Sequence, residues 1–119
     1  MPEKRKFVRL NIKILAKWKK ITGTPDTKLN NLDIIRNISR GGICLNMHKK
    51  LKIGDKLLLE IKLPTKKIIK AKGKVVWIKD MGILDLEREE EYEVGVEFSE
   101  MCNEDRQEIN KFLFESLAY

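Results

Sequence analysis

Two small groups of residues in this chain could do chemistry. The first is Asn37-Ile38-Ser39-Arg40-Gly41-Gly42, where two short polar side chains stand two apart and a glycine pair follows. The glycines allow backbone angles that other residues avoid and let a ligand come close. Consecutive amides in such a turn can point into one concavity that suits an anion. A turn that merely joins two strands would use the same residues. The second group is Arg5 and Arg9, four positions apart near the N-terminus. Arginine offers paired N–H donors to phosphate or to guanine O6 and N7, and its plane stacks on a base. An ordinary basic tail would also contain them. Taken together, the groups make a coherent set for a guanine nucleotide. The arginines would serve phosphates and base, and a side-chain oxygen of Asn37 or Ser39 would accept from guanine N1–H or N2–H. Backbone amides around Arg40, Gly41 and Gly42 would take a phosphate or a base edge.

Other chemistry is poorly supplied. His48 is the single histidine, and Cys44 and Cys102 are too few and too far apart for a disulfide framework or a thiolate zinc site. Ser39 has no Gly-x-Ser-x-Gly context, and no dinucleotide-binding glycine fingerprint or Walker sequence occurs. The expectation is therefore a binding module, not an enzyme, with no metal and no resident cofactor. No apolar run approaches the roughly 20 residues that span a bilayer. No hydrophobic stretch follows Lys4, Arg5 and Lys6, so no signal peptide is apparent and a reducing cytoplasm is the expected home.

The formal charge is +7 over 119 residues, but it is unevenly spread. Residues 1–79 hold 22 Lys/Arg against 5 Asp/Glu, and residues 80–119 hold 3 against 13. The basic part suits an anionic partner such as a nucleotide, nucleic acid or lipid head group. Solvated strand faces account for most of these lysines equally well, and lysine also discourages pairing between sheet edges.

These groups need elements to position them. Leu10, Ile12, Ile14, Ala16 and Trp18 alternate with polar residues, which predicts a half-buried strand interrupted by Leu15. Residues 29–36 form a second strand leading into the Asn37–Gly42 turn. Ile43, Leu45 and Met47 alternate beyond it, and Leu57, Leu59, Ile61 and Leu63 give a clean period of two ended by Pro64. Residues 68–79 alternate through Ile69, Ala71, Gly73, Val75 and Trp77, which places both tryptophans on core faces. Gly73 suggests a bend or bulge. Residues 80–91 are acidic and read as a solvated loop before a last strand through Tyr92, Val94, Val96 and Phe98. The period then changes. Asn103 can cap a helix with Glu104 and Asp105 in its first turn and one apolar stripe of Ile109, Phe112, Leu113 and Leu117. Phe114 and Tyr119 fall off that stripe, serving a partner or covering the helix's flanks. The expected fold is all-β, a small six-stranded antiparallel barrel with a C-terminal α-helix. Residues 1–9 would be a basic arm, 10–98 the barrel and 99–119 the helix, in one domain.

Arg5-Lys6-Phe7-Val8-Arg9 has the form RxxxR, and Asn37 through Gly42 has the form NxSxxG. In this order around a strand pair, they resemble the two signature motifs of the PilZ domain, and the similarity covers nearly the whole chain. Gly73-Lys74-Val75-Val76-Trp77 and Gly95-Val96-Glu97-Phe98 resemble the family's later strands. The resemblance implies a six-stranded barrel that binds the bacterial second messenger cyclic di-GMP. It implies that Arg5 and Arg9 grip phosphates and guanine, that Asn37 and Ser39 contact the other guanine end, and that Gly42 keeps the approach open. Gly41 belongs to the same turn, and Arg40 stands at a variable motif position where a phosphate or stacking contact is available. Lys4 occupies the position associated with binding one ligand or a stacked pair. Asn37 in place of Asp fits the pattern but lacks a charge that would anchor guanine.

The mechanism expected from this set is ligand-induced ordering of the arm onto the barrel, read in trans by an effector protein. The effector would be a flagellar, pilus, polysaccharide-synthesis or transcription component, and a homodimer is an option. Two rivals stand beside it: an adaptor barrel that ignores small ligands, and a basic barrel for single-stranded nucleic acid. The second is disfavoured because Phe7, Trp18 and Trp77 are the only aromatics of residues 1–79.

Overall fold

The computed structural model describes residues 10–21, 31–83 and 90–116. Six strands, β1 (Leu10–Lys20), β2 (Asn31–Ile38), β3 (Gly42–Met47), β4 (Lys56–Lys62), β5 (Ile68–Ile83) and β6 (Glu90–Met101), precede one helix, α1 (Asn103–Ser116). The strands close into a barrel in the order β1-β2-β3-β6-β5-β4, every neighbouring pair antiparallel. The pairing of β1 with β4 completes the ring, so the sheet has no free edge. The all-β barrel with a C-terminal helix is as the alternation predicts.

Strand alternation sends one side chain in two to the interior. On β4 Leu57, Leu59 and Ile61 are buried while Lys56 and Lys62 are exposed. Trp18, Ile35, Leu45, Ile69, Val75 and Val94 meet them in a single core. The largest of these, Trp18, carries a polar N–H, and its Nε1 donates to Asp33 Oδ2 at 2.7 Å. Ile109, Phe112 and Leu113 form the apolar stripe of α1 and join the core, so the helix covers the barrel. Asp105 pins its first turn, accepting from the Lys70 amide at 3.0 Å.

Several boundaries differ from the sequence-based expectation. The Arg106 amide bonds to the Cys102 carbonyl at 3.1 Å, so the helix starts one residue early and Cys102 takes the capping place expected of Asn103. β2 runs on through Asn37 and Ile38, which makes the turn itself shorter. Much of the acidic segment is strand: β5 and β6 stay paired to Ile83 and Glu90, with Lys79 opposite Glu93. Backbone pairing needs no apolar alternation, so composition hides this extension. Gly82, at a φ of 76°, sits at a register shift where its amide bonds Asp80 Oδ1 at 2.8 Å. Gly73 lies at another register shift, as its mid-strand position suggests. Residues 22–30, where Gly23-Thr24-Pro25-Asp26 marks a loop or hairpin connection in the sequence, lie outside the described residues, as do Leu117 and Tyr119.

Candidate functional site

The turn after β2 is tightly closed. The Ser39 amide donates to the Gly42 carbonyl at 2.9 Å, leaving Arg40 and Gly41 as the loop. The Ser39 hydroxyl donates to the same carbonyl at 3.4 Å and accepts from the Gly41 amide at 3.3 Å. Ser39 is the one buried polar residue among those described, and its hydroxyl braces the turn. The Gly41 carbonyl is in turn held by the Phe98 amide at 2.8 Å, which ties the loop to β6. Gly42 has a steric reason: a Cβ there would collide with the Val96 carbonyl oxygen.

Two bulges aim side chains onto the outer face beside this turn. On β2 the register with β3 shifts between Ile35 and Asn37. Ile35 and Ile38 both point inward, and Asn37 is swung outward, opposite Cys44. On β5 the register with β6 shifts between Val75 and Trp77. Val75 stays in the core, whereas Trp77 lies on the outside across from Gly95. This corrects the expectation that Trp77 faces the core. Any side chain at Gly95 would overlap the Trp77 indole, so the glycine is the seat of the ring. Bulges commonly re-aim side chains near sites in this way.

The result is one row across four strands on the outer surface: Asn37, Cys44, Gly95, Trp77. Cys44 is buried in this row, and its thiol donates to Glu93 Oε1 at 3.4 Å. A cleft of about 380 Å³ opens here, lined by Asn37, Ser39, Gly41, Gly42, Trp77 and Glu97 among others. That volume lies within the usual range for small-ligand sites. Glu97 stands opposite Gly42 and is the one charged side chain among the described lining residues.

The structure thus brings Asn37, Ser39, Gly41 and Gly42 to one cleft. Arg40 lies on the other side of the turn, where it lines a smaller cavity of about 190 Å³ with Arg106 and Asn110 of α1. Gly41 borders both cavities. Lys4, Arg5 and Arg9 lie outside the described residues. Sequence reasoning missed Trp77, Gly95 and Glu97 as site residues. The available signals were a glycine in mid-strand and the paired valines before Trp77, which break the period of two. Among the described residues no group of three His, Cys, Asp or Glu could hold a metal ion, and no helix is long and apolar enough to cross a membrane.

A family model for the PilZ domain matches residues 3–115. Among solved structures, the chain is similar to the inhibitor of motility MotI/DgrA of Bacillus subtilis at 22% identity and a TM-score of 0.72, covering 98% of this chain and 53% of that one. It is similar to the PilZ domain of YcgR from Escherichia coli with c-di-GMP at 13% identity and a TM-score of 0.68, covering 95% and 91%. The K. pneumonia MrkH–c-di-GMP complex gives 20% identity and a TM-score of 0.75, covering 98% and 52%. The chain therefore spans about half the length of MotI/DgrA and of MrkH. No curated protein sequence matches it significantly. With the model match running over nearly its full length, the chain belongs to the PilZ domain family.

Proposed function

We propose that this protein is a receptor for cyclic di-GMP, and that Arg5 and Arg9 close over the cleft at the Asn37–Gly42 turn. The observation that carries this is where the chain enters the barrel. Leu10 pairs with Ile38 and Asn11 with Asn37, so residues 1–9 are tethered one position from Ser39. Arg5 is five residues from that tether, a span of at most about 17 Å when extended. Both arginines can therefore reach the cleft. Solved structures of similar fold that contain c-di-GMP include the YcgR PilZ domain and the MrkH complex.

The chemistry sorts the ligand by charge. Trp77 offers a ring face for one guanine, and Glu97 keeps phosphates from that end of the cleft by repulsion. In this scheme the phosphates lie toward the turn, where the arm brings Arg5 and Arg9, with Arg40 on the turn's far side. Asn37 supplies an amide for the guanine edge, the Ser39-braced turn presents its backbone, and Lys4 adjusts whether one ligand or two fit. Drawing residues 1–9 onto the barrel costs entropy and changes the charge of that face. An effector protein in the cytoplasm reads the change; among proteins of similar fold, MotI/DgrA is an inhibitor of motility and MrkH a c-di-GMP-dependent transcription regulatory factor. The arm, barrel and helix act as one unit in this scheme, without catalysis or a resident cofactor.

Titration calorimetry with cyclic di-GMP, cyclic di-AMP and GTP tests the reading. Cyclic di-GMP saturates and the others do not. Arg9→Ala loses at least about tenfold in affinity, since a charge-assisted paired donor is worth more than about 1.5 kcal/mol. Absence of saturable binding at tens of micromolar would overturn it.

A further inference from the structure

The far side of the barrel carries a second feature. On β1 Lys17 and Lys19 point outward, and on β4 Lys56 and Lys62 do so. On β5 Lys70, Lys72 and Lys74 are exposed. The register sets them in rows: Lys17 beside Glu60 beside Lys70, Lys19 beside Leu58 beside Lys72, and Lys56 directly opposite Lys74. Neighbouring strands lie about 4.8 Å apart and alternate residues about 7 Å apart. Such charges sit within about one screening length of each other at physiological salt. Among the described residues, Glu60 is the one carboxylate inside the rows; on the rim, β6 sets Glu97 opposite Lys74, and Glu100 meets Lys72 at 3.3 Å.

Two structural explanations for this lysine density are weak. The barrel is closed, so no sheet edge needs lysines to prevent pairing. Like charges directly opposite each other, as at Lys56 and Lys74, oppose strand pairing instead of assisting it. The face also has a groove of about 380 Å³, floored by Leu58, Ala71 and Met101 and rimmed by Lys70 and Lys72 together with Glu60 and Glu100. The outward residues of these strands include no arginine and no aromatic short of the Trp77 bulge, so bases have nothing to stack on.

We infer that the β1–β4–β5 face docks an acidic segment of a partner protein, its carboxylates over the lysine rows and one aliphatic side chain in the groove beside Leu58. An apolar floor set in a face of seven lysines and three carboxylates is complementary to an acidic amphipathic segment, and a polynucleotide has no use for such a floor. The face is separate from the nucleotide cleft, and the inference does not rest on the ligand assignment.

Fluorescence anisotropy tests it, with a labelled amphipathic peptide of Glu, Leu and Ala, a Gln-for-Glu version, and an oligo-dT of matched charge. The acidic peptide binds saturably and weakens as salt rises, and the Gln version does not bind. The double reversal Lys70→Glu/Lys72→Glu weakens the peptide about tenfold or more. Lys49→Glu/Lys50→Glu, with the same change in net charge away from the face, leaves it within about threefold. Leu58→Asn weakens the peptide and leaves any oligonucleotide binding unchanged. Urea midpoints report folding of each variant, and Lys72→Gln replaces the double reversal if that protein does not fold. Peptide binding indifferent to both Lys70/Lys72 and Leu58, no saturation, or tighter binding of the oligonucleotide overturns the inference.

Discussion

The two sides of this barrel carry surface cavities of equal size, about 380 Å³ each, built in opposite ways. The lysine side is regular across β1, β4 and β5, and shifts register only where β5 meets β6 at Lys72 and Gly73. β4 pairs with β1 and with β5 without a register shift, so charge and apolar residue simply alternate. The turn side is irregular. Shifts on β2 and on β5 push Asn37 and Trp77 outward, and glycines at 42 and 95 make room for backbone and ring. The lesson is that the cleft takes its shape from side chains that bulges re-aim outward, with Glu97 as its one charge among the described lining residues, whereas the lysine rows follow from β4 pairings that stay in register.

The sharpest break of this contrast is Gly42→Val. Its Cβ would meet backbone, which cannot swing aside as a side chain does. Overpacking of this kind costs about 1–3 kcal/mol. The expected result is a lower urea midpoint together with loss of cyclic di-GMP binding. Lys72→Ala on the regular side, an exposed position, stays within about 0.5 kcal/mol. Equal midpoints for both variants would erase the distinction.

Trp77→Ala separates shape from stability. The ring is half-buried over Gly95 and outside the core, so its removal should lower the midpoint less than truncation of a core side chain such as Trp18. Stacking on an aromatic is worth about 1–3 kcal/mol per base, and calorimetry should register that loss for cyclic di-GMP. A large fall in stability with unchanged affinity would make Trp77 a packing residue only.

This difference also explains what was legible from the residues alone. The period of two on β4 and the first half of β5 located strands and core, and the 3–4 spacing of Ile109, Phe112 and Leu113 located the helix face. The turn was legible because Asn37, Ser39 and the glycine pair are local in sequence. Trp77 was not, because its direction depends on one extra residue at Val76, and a one-residue shift moves a side chain to the other face. Glu97 was hidden for a different reason. Only pairing with Gly42 brings a β6 carboxylate to a turn more than fifty residues earlier.

Glu97 sharpens the cleft's chemistry at smaller cost. A carboxylate can accept from guanine N1–H and the 2-amino group together, whereas the Asn37 amide has a single acceptor oxygen. Glu97→Gln is expected to weaken cyclic di-GMP several-fold and cyclic di-inosine monophosphate, which lacks the 2-amino group, by less. Equal losses for both would assign Glu97 a general electrostatic effect instead of base reading.

The smallest expected effect contrasts the two tryptophans. Trp18 stands on the regular part of β1 and is 1% exposed, with its N–H held by Asp33. Burial raises the Asp33 carboxyl above its ordinary value, and the Trp18 hydrogen bond and the positive charge near His48 and Lys49 only partly offset this. A carboxyl raised in the folded state favours folding while protonated. Its contribution is complete below the unfolded pKa, near 3.8, and is lost as pH climbs through the folded one. Asp33→Asn keeps an acceptor for the indole but removes the half-buried charge. The variant should therefore have the higher urea midpoint at pH 7, and its advantage over wild type should shrink as pH falls toward 3. A variant less stable at pH 7, recovering in acid, would mean that the charged hydrogen bond outweighs desolvation and that Trp18 depends on an ionised partner.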